Sequence, residues 1–110
     1  MTTPEGKVKD YVRKRMEQLY PLSYRFMPVQ NGMGAAALDF YYCVDGRWIA
    51  IETKRPVGHQ ITWEDATPRQ RATRKDIEAA GGSCWIVDSP ESFELAQTEW
   101  WAKYISRDRL

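Results

Sequence analysis

The sequence of 110 residues is poor in cysteine, holding only Cys43 and Cys84. Neither lies in a zinc-type spacing, and both fall in strand-like runs. They read as buried free thiols of a cytosolic protein, a disulfide being the alternative. Long apolar runs are missing as well. Nothing approaches the ~20 residues of a membrane span, and no signal-peptide pattern opens the chain. A cytoplasmic setting without a membrane partner is expected. An excess of one charge is also absent: 16 Lys and Arg stand against 15 Asp and Glu, for a net charge of +1. That excludes the global basic signature of nucleic-acid binding. No repeat, low-complexity tract or linker divides the chain.

What is present suffices for one core. A hydrophobic content of 43%, including 5 Trp, suits a packed globule, and the length suits a single domain over residues 1–110. Pro4 opens a helix that runs to about Tyr20 and stops at Pro21, with Val8, Val12, Met16 and Leu19 as its buried stripe. Glu5 extends that stripe at the N-terminal end, where an acid also favours the helix dipole. The stretch "SYRFMPV" suits a short strand that Pro28 confines to an edge, and residues 30–37 read as a flexible loop. Two strand-like runs then flank Asp45-Gly46, a strong hairpin signal. After a loop holding His59, the one histidine, Thr67 caps a helix that Pro68 begins and Gly81-Gly82 ends. "SCWIVD" is a nearly continuous apolar run and suits a central strand. Ser89-Pro90 starts a last helix running to about Tyr104. The expected fold is α/β: a mixed β-sheet of about four strands flanked by helices.

The positive charge is clustered at Arg13-Lys14-Arg15 and at Arg69, Arg71, Arg74 and Lys75. Solvated helix faces and phosphate contacts would both produce such clusters.

The hairpin carries the chemistry. With a two-residue turn, Val44 lies opposite Arg47, and the same register puts Asp39 opposite Glu52 with Cβ atoms roughly 5 Å apart. Like charges so placed repel. Two carboxylates at this separation make an oxygen site for a hard divalent cation, Mg²⁺ or Mn²⁺, which the Thr53 backbone carbonyl could complete. Lys54 shares a face with Glu52 and can orient a water or steady charge developing on a phosphate. The competing reading is a surface Glu–Lys pair beside an unrelated exposed Asp. On the helix after Thr67, Gln70, Thr73, Ile77 and Ala80 form the stripe facing the sheet. A buried Gln70 amide there needs partners, and the acidic pair offers one; an ordinary satisfied core glutamine is the alternative.

Taken together, "LDF", "ETK", the leading "PEGKVKDYV" and the helix "TPRQRATRKDIEAAGG" resemble the virus-type replication-repair nuclease (VRR-NUC) branch of the PD-(D/E)xK nucleases. The likeness runs from about residue 4 to residue 88. One position departs from it. The usual Gly-x-Pro-Asp is here Ala36-Ala37-Leu38-Asp39, without the proline. The resemblance implies a restriction-endonuclease-like core in which Asp39 and Glu52 bind the metal, Lys54 is catalytic, and Glu5 and Gln70 complete the site. It further implies a bacterial or phage homodimer that cuts branched DNA, including four-way junctions, with Mg²⁺ or Mn²⁺ as substitute. Tyr41-Tyr42 and Trp100-Trp101 are candidates for the dimer interface, core packing being the other role for those rings. His59 has no counterpart and reads as a loop residue able to touch substrate. A monomeric single-strand, flap or end nuclease of the same fold, and a domain that binds without cutting, are the competing functions.

Overall fold

The computed structural model describes residues 2–29 and 36–106, so most of the expected 30–37 loop lies outside the described residues. Three helices, α1 (Pro4–Leu19), α2 (Pro68–Ala79) and α3 (Pro90–Tyr104), begin in the same way. A Thr or Ser N-cap, at Thr3, Thr67 and Ser89, accepts a backbone N–H of the first turn, and proline takes the next position. The hydroxyl satisfies an orphan donor, and the proline has no N–H to leave unpaired. α1 buries Val8, Val12 and Met16, the stripe its spacing predicts, with Leu19 partly buried against the same core.

Four strands, β1 (Tyr24–Phe26), β2 (Phe40–Val44), β3 (Arg47–Thr53) and β4 (Ser83–Val87), form one sheet in the order β1-β2-β3-β4. The first three pair antiparallel, while β4 runs parallel to β3 after the α2 crossover. Asp45 and Gly46 both have positive φ, 54° and 78°. This is the left-handed backbone that a two-residue hairpin turn requires. Val44 therefore sits opposite Arg47, and Phe40 opposite Ile51.

One expectation fails. The apolar run at 83–87 is not central: β4 is an edge strand of the sheet. Its composition has another cause. Trp85 and Val87 enter the main core with Phe40, Ile49, Ile51 and Phe93, beneath α1 and α3. On the opposite face Ile86 packs with Ile61 and Ala66, and Cys84 packs beside Ile77. Both faces are covered, and that, rather than flanking strands, makes a strand apolar throughout. A smaller correction falls on α2, whose stripe ends at Ile77, because Ala80 is exposed.

Long-range ties fix α1 against α3. Arg15 donates through Nε (2.9 Å) and a terminal nitrogen (3.0 Å) to the two oxygens of Glu94, which also accepts from the Tyr11 hydroxyl at 3.0 Å. Arg13 pairs with Asp10. Two of the three cations in the first basic cluster thus have acidic partners within the chain. Cys43 and Cys84 are free and partly buried, and burial pushes the Cys84 thiol up to about 12. Among the described residues no helix is long and apolar enough to cross a membrane.

Candidate functional site

The site forms where the β2–β3 hairpin opens, with α1 and α2 reaching it from opposite faces of the sheet. Asp39 immediately precedes β2, and its Oδ2 accepts from both the Thr53 backbone N–H (2.9 Å) and the Thr53 hydroxyl (2.7 Å). Two donors from a fully buried residue leave this carboxylate little freedom. Glu52 lies on β3 at 3% exposure, on the side of the sheet that α2 covers. Its Oε2 accepts from the Gln70 amide at 3.0 Å, whereas its Oε1 is buried with no hydrogen-bond partner.

Gln70 joins three parts of the site. Its Oε1 accepts from Lys54 Nζ at 2.8 Å and from the Thr67 backbone N–H at 2.9 Å, while its Nε2 donates to Glu52. Lys54 and the Thr67 N–H can only donate, so one orientation of the amide satisfies all three contacts. The same side chain closes the capping box of α2 with Thr67. A helix start and a lysine–acid spacing are therefore held by one residue.

Electrostatics single out Glu52. Burial, followed by the charge of Asp39 beside it, pushes Glu52 from the usual 4.5 up to about 8; Lys54 and, more weakly, Lys9 pull the other way. A buried carboxylate with an unpaired oxygen and an acidic neighbour is costly to ionise without a counter-charge. A divalent cation supplies that charge, and carboxylate oxygens are the donors that Mg²⁺ and Mn²⁺ prefer. Asp39 and Glu52 fit such an ion. At Thr53, the groups that engage Asp39 are the backbone N–H and the hydroxyl.

Glu5 stands one step away. Lys9 Nζ lies 3.7 Å from Glu5 Oε1 and 3.4 Å from Asp39 Oδ1, bridging the two acids. Among the described residues no group of three or more His, Cys, Asp or Glu side chains converges as a metal cluster. Lys9 escaped the reading of the sequence, although its place one helical turn after Glu5 was the available signal.

The cations expected to hold phosphate divide into two pairs. Arg69 and Lys75 are exposed. Arg71 donates to the Ala66 carbonyl at 2.6 Å, and Arg74 pairs with Glu78 at 3.0 Å while lying over the Trp63 ring. His59 is exposed and meets Asp65 at 2.9 Å. Tyr41, Tyr42 and Trp100 are buried, whereas Trp101 is 41% exposed. A groove of about 880 Å³ runs beside β4 between α2 and α3, lined by residues such as Trp63, Arg74, Trp85 and Trp100. Glu5, Asp39, Glu52, Lys54 and Gln70 do not line it.

No model of a protein family and no curated protein matches this sequence. A solved structure described as a VRR_NUC domain is similar to it with a TM-score of 0.65 at 18% identity, over 94% of this chain and 99% of that one. The three helices and four-stranded mixed sheet of the described residues, and a likeness that covers nearly the whole length of both chains, give this protein the VRR-NUC fold.

Proposed function

We propose that the chain is a Mg²⁺-dependent endodeoxyribonuclease, with Mn²⁺ as substitute, that hydrolyses phosphodiester bonds in branched DNA in the manner of a Holliday-junction resolvase. The observation that carries this reading is the buried, unpaired Glu52 Oε1 beside Asp39, with Lys54 held close by Gln70. A bound cation would supply positive charge at the scissile phosphate and an acidified water for attack. The chain's own residues do the rest. Thr53 fixes Asp39 from one side and Gln70 fixes Glu52 from the other, so both carboxylates are oriented before substrate arrives. Lys54, tethered through one N–H to Gln70, has its remaining donors for a phosphate oxygen or the attacking water. Gln70, Asp39 and Glu52 thus serve as orienting and ligating groups, with Lys54 as the catalytic cation. The exposed Arg69 and Lys75 would take flanking phosphates. A homodimer would present two such sites to a two-fold symmetric junction.

The test is cleavage of labelled duplex, single-stranded, flap and four-way-junction DNA with Mg²⁺, Mn²⁺ or EDTA. Asp39→Ala and Lys54→Ala run beside the unmodified protein, whose mass in solution is measured in parallel. Paired, metal-dependent nicks on the junction, lost in both variants, support the reading. Cutting confined to single strands or flaps by a monomer would replace the resolvase assignment. Failure of the folded protein to cut any substrate would overturn the nuclease reading itself.

A further inference from the structure

We infer that Lys9 is a resident monocation that fills the place a second divalent ion would take, so that the carboxylate site holds one metal ion per chain. The inference rests on the metal-binding reading above and adds the stoichiometry and the residue that sets it.

Three observations carry it. First, the two oxygens of each site carboxylate are used differently. Asp39 Oδ2 is taken by Thr53 and Glu52 Oε2 by Gln70. The buried oxygen left without a hydrogen-bond partner is Glu52 Oε1. Second, Lys9 Nζ sits 3.4 Å from Asp39 Oδ1, the oxygen that Thr53 does not take, and 3.7 Å from Glu5 Oε1. Asp39 Oδ1 therefore faces Lys9, and Glu5 reaches the site through an ammonium rather than directly. A second divalent ion drawn to Asp39 and Glu5 would compete with this ammonium for the same two carboxylate oxygens. Third, Lys9 is only one-third exposed, at 34%, and comes from the first half of α1, beside the buried Val8 and Val12 that anchor the helix. It is delivered by a rigid element rather than by a loop.

Charge gives the reason for such an arrangement. Glu5, Asp39 and an ionised Glu52 carry three negative charges, of which Lys9 and Lys54 offset two. A divalent ion would otherwise be needed to offset the charge that Lys9 balances whenever free metal is available. With Lys9 present, the remaining demand is for a single ion at the Asp39–Glu52 pair.

The experiment is Mn²⁺ binding by titration calorimetry with an electron paramagnetic resonance spectrum at saturation, for the unmodified chain, Lys9→Gln, Lys9→Arg and Lys9→Gln/Glu5→Gln. The inference expects one Mn²⁺ in the unmodified chain and in Lys9→Arg. Lys9→Gln should bind two, with the broadened spectrum of a spin-coupled pair, and the double variant should return to one. Two ions in the unmodified chain, or one ion in Lys9→Gln, would overturn the role of Lys9 while leaving the metal site standing. No Mn²⁺ bound by the unmodified chain would overturn the metal-site reading and the Lys9 inference with it. Lys9 is partly exposed on a helix surface, and the urea unfolding of each variant identifies any loss of fold separately.

Discussion

Glu52→Gln should make the cation-free protein more stable at alkaline pH, although Glu52 sits among the most buried groups of the site. Glu52 is pushed from 4.5 up to about 8 by burial and then by Asp39. At about 1.36 kcal/mol for each step in pKa, ionising it inside the fold costs about 5 kcal/mol. The sign follows from proton binding. The folded state holds the Glu52 proton more tightly than the unfolded chain does, so stability is greatest below about 4.5 and falls as pH rises towards about 8. Above that the loss is complete.

In EDTA, urea unfolding between about pH 5.5 and 8.5 should therefore show the unmodified protein losing about 3 kcal/mol through this one group. A glutamine of the same shape does not titrate. The difference between the two curves isolates Glu52, because every other group titrates in both proteins. Near pH 5.5 the variant should be ahead by about 1.5 kcal/mol, and near pH 8.5 by about 4.5 kcal/mol. Mn²⁺ then narrows the gap: at about 100 times Kd it should restore about 2.7 kcal/mol to the unmodified protein and little to the variant. Binding near neutral pH should also release about one proton, visible as a calorimetric heat that depends on the buffer. Parallel pH curves for the two proteins would refute the reasoning, since Glu52 would then not be the group that burial strains.

Other expectations follow from single contacts. Gln70→Ala removes the α2 capping box and the anchor of Lys54 together; chemical unfolding should show a loss of about 1–2 kcal/mol, and turnover should fall more than substrate binding. Equal loss of both would argue that Lys54 does not depend on Gln70. Gly46→Val places a branched residue at a φ of 78° and should cost about 1–2 kcal/mol while leaving Mn²⁺ affinity unchanged; weakened metal binding would mean that the turn sets the site geometry directly. The Cys84 thiol, pushed up to about 12, should alkylate slowly at pH 8 in the native state and quickly in urea, as mass spectrometry would read. Rapid native alkylation would place that strand edge in an open conformation.

What the sequence made legible was local. Asp45-Gly46 between alternating runs specified the turn, and the turn specified the register that pairs Phe40 with Ile51, the neighbours of Asp39 and Glu52. Thr67-Pro68 and Ser89-Pro90 marked helix starts because capping depends on residues only three apart. Burial on two faces produces the same apolar run as two flanking strands, so β4 could be recognised as a strand but not placed at the edge. Partner choice was equally hidden. Arg15 finds Glu94 across the sequence and Arg71 turns back to the Ala66 carbonyl, and nothing in a basic cluster distinguishes such cations from exposed Arg69. Lys9 belongs with these, being an ordinary i, i+4 partner of Glu5 until the hairpin places Asp39 beside it. Gln70 shows why the candidate site was more legible than its surroundings. The residue type that the helix start needs at its third position is also one that can accept from Lys54 and donate to Glu52 at once. Local and long-range demands agree at that position, and where they agree a short motif carries three-dimensional information.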